Sequence, residues 1–160
     1  MKRFLFVFSL LVLASVTAGS LLAQDNPFVG TWKLNVAKSK FEPGPAPKSL
    51  TRTIVAQGDG AKYSFEGVAG DGTPFSYSFT VKYDGKDYPI TGSGMPGGAD
   101  TIAIKRVGTN KAEATEKKGG KEIGKAEVEV SKDGKVSTVK IKGKTVDGKE
   151  FQSDGVYDKQ

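Results

Sequence analysis

Two arginines are the residues best equipped to do chemistry in this chain. Arg52 lies in Leu50-Thr51-Arg52-Thr53-Ile54 and Arg106 in Ile102-Ala103-Ile104-Lys105-Arg106. At a period of two, each shares a face with leucine or isoleucine. A guanidinium turned into an apolar interior is costly without an anion, and its planar fork matches a carboxylate. The chemistry on offer is recognition of an acid, with Arg52 or Arg106 as counter-charge. A structural role competes with it: an Arg near a strand end lays its stem over apolar surface and keeps its head in water.

The rest of the inventory argues against catalysis. The chain has neither His nor Cys, which removes the commonest general bases, thiol nucleophiles and transition-metal ligands together. Ser and Thr are plentiful, but no Gly-x-Ser-x-Gly elbow presents one. Gly92-Ser93-Gly94 falls in a glycine-rich loop with no helix after it and lacks the Gly-Lys-Ser/Thr of a phosphate loop. Asp84 and Asp87 are close in sequence but flank a turn, where carboxylates are solvated. The remaining Asp residues are scattered singly, with no clustered Asp-x-Asp loop closed by a Glu, so they read as turn formers and not as calcium ligands. The sequence predicts no enzyme, no cofactor and no metal.

The elements that must carry these residues are strands. Short alternating segments recur at roughly ten-residue spacing between glycine-containing turns, a pattern of sandwiches and barrels. The segments run over 28–35, 49–56, 61–68, 75–83, a short piece through Tyr88-Pro89-Ile90, then 100–107, 111–118, 121–132, 135–142 and 150–158. Asp-Gly marks several corners, a pair suited to tight hairpins because both residues tolerate positive φ. The stretches 36–48, with Pro43, Pro45 and Pro47, and 91–99, rich in glycine, read as loops. The first has room for one helical turn before the prolines. The expected fold is all-β: an antiparallel up-and-down meander closed into a barrel of roughly 8–10 strands, with two packed sheets as the alternative.

Alternation also lists the interior. It offers Tyr63 and Phe65, then Phe75, Tyr77, Phe79, Val81 and Tyr83, then Ile102 and Ile104. Later strands offer Ala112, Ala114, Val128, Val130, Val139 and Ile141, then Phe151, Ser153, Gly155 and Tyr157. The first half is aromatic and the second contains small residues. Such asymmetry fits a cavity on one side and fits equally a filled core in which large side chains face small ones.

The opening strand, Phe28-Val29-Gly30-Thr31-Trp32-Lys33-Leu34-Asn35, holds the only Trp, and alternation puts Phe28, Gly30, Trp32 and Leu34 on one face. A Gly-x-Trp on the first strand of an all-β chain resembles the calycins, that is, the lipocalins and the intracellular fatty-acid-binding proteins. Phe-Val-Gly-Thr-Trp-Lys-Leu is especially similar to the opening of the latter, and Gly155-Val156-Tyr157 resembles their Arg-Val-Tyr end. The resemblance implies that Tyr157 helps hold a ligand carboxylate, but Gly155 stands where that family has its carboxylate-binding Arg. The proline-rich 36–48 connection is too short for the family's lid helices, so none is expected. Lipocalins stack an Arg across the first-strand Trp, which the resemblance extends to Arg52 or Arg106 with Trp32.

Residues 1–23 read as a secretory signal peptide: Lys2 and Arg3, an apolar run over 4–13, then mostly small residues. Cleavage is expected after Ala23, with Ala18 and Ser20 as alternatives, leaving one barrel domain over 24–160, exported to the periplasm or the exterior. No membrane span is expected, and no Cys follows the apolar run to carry a lipid anchor. The formal charge is +6, almost entirely from Lys interspersed with Asp and Glu. That describes a mixed-charge surface and not a nucleic-acid site, which would cluster Arg with aromatics. The expected function is binding of a small hydrophobic or amphipathic ligand, with Arg52, Tyr63, Tyr77, Phe79, Arg106 and Tyr157 as candidate contacts. The alternative is a ligand-free secreted envelope or protein-interaction module.

Overall fold

The computed structural model describes residues 26–145 and 147–160; the expected signal peptide lies outside them. Among the described residues, twelve strands form one antiparallel sheet. They are β1 (Gly30–Leu34), β2 (Lys40–Glu42), β3 (Ser49–Gln57), β4 (Gly60–Val68), β5 (Pro74–Val81), β6 (Asp84–Pro89) and β7 (Thr91–Ser93). The second half adds β8 (Thr101–Arg106), β9 (Lys111–Lys118), β10 (Lys121–Val130), β11 (Val136–Lys144) and β12 (Glu150–Lys159). The hydrogen-bonded order is β6-β8-β9-β10-β11-β12-β1-β3-β4-β5-β7, with β2 added on β12. First and last strands pair, Trp32 with Lys159 and Leu34 with Tyr157, which rolls the meander into a nearly closed barrel. A seam remains, because no ladder joins β5 or β7 to β6.

The all-β meander is as expected, but the strand number exceeds the expected 8–10. Two short strands lie inside stretches read as loops. After β1, Asn35 caps a single 3-10 turn (Val36–Lys38) by accepting from the Lys38 amide. Ser39 then accepts from the Val156 amide at 2.9 Å and donates to the Asn35 carbonyl at 2.7 Å. The chain thus stays on β12 and resumes as β2, with Phe41 opposite Ser153. β7, in the glycine-rich stretch, pairs Gly92 with Tyr77, and the nearness of the Ser76 carbonyl (2.2 Å from where a Cβ would stand) reserves position 92 for glycine.

Alternation holds along the strands that carry the interior. Leu50, Arg52 and Ile54 are buried on β3, Tyr77, Phe79 and Val81 on β5, and Ala112 and Ala114 on β9. The Asp-Gly corners explain their aspartates locally. Asp71, Asp84 and Asp133 each accept from the amide two residues on, at 2.8, 3.0 and 3.1 Å. These bonds hold the carboxyls of Asp71 and Asp84 below the usual range, and at Asp133 the Ser131 hydroxyl does so first, helped by the amide.

Candidate functional site

The closed end of the barrel is built around Trp32, which is fully buried. Its indole N–H donates to the Phe28 carbonyl at 2.9 Å, so the large ring carries no orphan donor. Register decides its neighbours: Arg52 of β3 and Lys159 of β12 are its direct cross-strand partners. Both cations lie over the indole, at 5.7 and 5.2 Å from its centroid. Arg106 closes the same end by another route, packed over the rings of Phe28 (5.3 Å) and Tyr83 (4.9 Å). Tyr83 holds a positive φ of 58° where the chain crosses from β5 to β6, and its hydroxyl meets that of Tyr63 at 2.8 Å.

Above this floor lies a cavity of about 440 Å³. It runs from buried Arg52 and Tyr157 to a mouth formed by the proline-rich connection, Gly94–Gly97 and Phe151. One wall is aromatic. Tyr63 faces Phe79 and Phe65 faces Tyr77 across the β4–β5 ladder, with ring centroids 5.0 and 4.6 Å apart. The opposite wall comes from Ala114, Ala126, Val128, Val139 and Ile141. Large and small residues therefore do not fill each other's space here, and of the two readings left open by sequence the cavity is the one realised.

Arg52 is the buried cation of this cavity. It is 4 % exposed, donates to Ser137 Oγ at 2.8 Å and lies 4.7 Å above the Tyr157 ring. Its Nε has no partner, and no ion pair involves it among the described residues. Burial lowers its pKa from the ordinary guanidinium value, yet the group remains charged at any working pH. Burial likewise raises the hydroxyl pKa values of Tyr63, Tyr77 and Tyr157, so these groups are neutral hydrogen-bonding partners.

The structure brings Arg52, Tyr63, Tyr77, Phe79 and Tyr157 together on the cavity wall. It does not bring Arg106 there: stacking on Phe28 and Tyr83 holds that guanidinium in the floor. The glycine at 155 has a physical reason. Tyr157 folds back over it, and a Cβ at 155 would stand 2.9 Å from that ring. The guanidinium beside Tyr157 comes instead from β3, through Arg52.

Comparisons with known proteins are sparse. No family model matches the chain and no curated protein does. Among solved structures, zebrafish ileal bile acid-binding protein complexed with cholic acid is similar, at 13% sequence identity and a TM-score of 0.49. The match covers 84% of this chain and 99% of that one.

Two buried polar residues escape the sequence reading. Ser137 is fully buried on β11 as the partner of Arg52. Glu116 on β9 is 2 % exposed, lines the cavity, and has an Oε2 without a partner. Both were signalled by alternation: Ser137 shares parity with Val139 and Ile141, and Glu116 with Ala112 and Ala114. An apolar list drawn by residue type stops short of them. Burial alone raises the Glu116 carboxyl to about 7.

Proposed function

We propose that this protein is an exported, non-enzymatic carrier or sensor that binds one small amphipathic molecule in its barrel, acid end at Arg52. The observation that carries this reading is a buried guanidinium with an unpartnered Nε, set in a mostly apolar cavity of about 440 Å³. A volume of this size is within the range of small-molecule sites, roughly 300–1,000 Å³, and a mostly apolar lining with few polar anchors is their usual make-up. A carboxylate delivered to Arg52 supplies the counter-charge that the fold leaves out, and the aromatic wall takes the apolar body. Tyr157, beneath the guanidinium, is placed to join in holding the head group. Export rests on the signal-like segment 1–23 and places the carrier in the periplasm or outside the cell.

Native mass spectrometry of the mature protein from its own source tests this, followed by titration with a medium-chain fatty acid and the corresponding alcohol. Retention of a lipophilic acid, or tighter binding of the acid than of the alcohol, is the expected result. If neither compound binds and no mass is retained, the reading falls and a surface-acting module takes its place. The exposed large apolar residues Val36, Val55 and Val107 are single positions on different segments, which lends that alternative no patch to act through.

A further inference from the structure

The cavity holds a second buried ionisable group that acid recognition at Arg52 does not use. Glu116 is directed inward at mid-β9, in register with Ile102 of β8 and Gly124 of β10. The backbone makes room for it. A register shift falls between Glu122 and Gly124, and a Cβ at position 124 would stand 2.9 Å from Glu116 Oε2. A side chain at 124 would push the carboxyl out of this position. The same Gly124 position is 3.5 Å from the Phe151 ring, which belongs to the mouth. Glu116 therefore stands toward the open end, while Arg52 stands over Trp32 at the floor.

We infer that Glu116 is a second ligand anchor, which accepts a hydrogen bond from a hydroxyl carried on the ligand's body away from its acid head. This rests on the binding function proposed above. A buried carboxyl without a partner is expensive, and a hydroxyl donor supplies the missing bond without bringing a second charge into an apolar space. An ammonium would also pair, but it must be desolvated in a cavity that already holds the Arg52 cation. The other ionisable groups lining the cavity are Arg52, the tyrosines Tyr63, Tyr77 and Tyr157, each kept neutral by burial, and the solvent-exposed Glu42, Lys149 and Glu150, so among the buried groups Glu116 is the one whose charge changes near neutral pH.

The test uses the full mature protein and four matched ligands: a medium-chain saturated acid, its mid-chain and terminally hydroxylated analogues, and its terminally aminated analogue. Affinities are taken as ratios, in which the common head group and Arg52 cancel. The better-placed hydroxylated acid should bind about tenfold more tightly than the plain acid, the scale of a hydrogen bond to a charged group. This preference should grow from about pH 6 to about pH 8 as the carboxylate forms. Glu116→Gln, which keeps a neutral acceptor, should retain a preference that no longer varies with pH. Glu116→Leu should reverse it in favour of the plain acid. Equal binding of plain and hydroxylated acids by the wild type, or a preference unchanged in Glu116→Leu, overturns the inference and leaves acid binding at Arg52 intact. A tighter amine than hydroxyl overturns the assignment of a neutral donor. Failure of every ligand to bind, with no mass retained by the native protein, overturns both readings together, and retained wild-type binding of the plain acid by Glu116→Gln shows that the variant is folded.

Discussion

Replacing Arg52 by Met should separate ligand recognition from stability. Met keeps a long flexible stem and removes the charge. Three contacts are lost: the bond to Ser137 at 2.8 Å and the placements over Trp32 and Tyr157 at 5.7 and 4.7 Å. A hydrogen bond from a charged donor contributes about 1.5–3 kcal/mol, and each desolvated cation–π contact about 0.5–2 kcal/mol. Against them stands the charge itself, 4 % exposed with its Nε unpartnered, which costs several kcal/mol on the scale of buried ions. The two sides are of similar size, so the ligand-free stability should move by no more than about 2 kcal/mol. Acid binding has no such offset and should weaken by about 1.5–3 kcal/mol, roughly tenfold to a hundredfold. Urea unfolding followed by far-UV circular dichroism gives the first quantity. Calorimetric titration with a fatty acid and its alcohol gives the second. Wild-type acid affinity in Arg52→Met, or equal losses for acid and alcohol, would refute the assignment of Arg52 as the acid anchor.

Two further outcomes follow from buried groups elsewhere in the barrel. Trp32→Ala should lower stability by about 3–5 kcal/mol, the range for large core aromatics; a loss under about 1 kcal/mol in denaturant unfolding would mean that the floor does not depend on the indole. Glu116 carries its proton to about pH 7 in the fold and to about pH 4.3 in the unfolded chain. Between those values the native state binds more protons, so stability must fall as pH rises through that window and level off above it. At 1.36 kcal/mol per pH unit, the contribution of Glu116 to this fall is about 3–4 kcal/mol. Glu116→Gln should flatten this slope when urea midpoints are compared across pH, and an undiminished slope would assign it to another group.

Much of the fold was legible because strand alternation and glycine corners are local signals. The alternation of Leu50, Arg52 and Ile54 gave the inward face of β3, and the Trp32 segment gave the first strand. What alternation cannot supply is register. Arg52 and Arg106 look alike in sequence, each spaced two residues from an isoleucine, yet pairing sets Arg52 opposite Trp32 and below the cavity, while Arg106 packs on Phe28 and Tyr83. β2 and β7 were missed for a related reason. Lys40-Phe41-Glu42 and Thr91-Gly92-Ser93 have little strand character of their own, and become strands because β12 and β5 offer them free backbone groups. Glu116 was passed over because a charged residue type argues for the surface, whereas its position in the alternation argued for the interior.

The seam leaves the rolled sheet with two ends, and backbone amides and carbonyls along such ends are templates on which another molecule can add a strand. This chain blunts both. β7 is three residues long, too little to hold a partner. β6 carries Asp84, Lys86 and Asp87, ends at Pro89, and shifts register against β8 between Asp84 and Asp87. Asp87 is further tied to Lys117 of β9 at 2.8 Å. An incoming strand would meet a bend, fixed charges and a missing amide. The wall can thus keep a parting line beside its cavity without exposing the molecule to cross-β aggregation, a hazard that full ladder closure would otherwise be needed to remove.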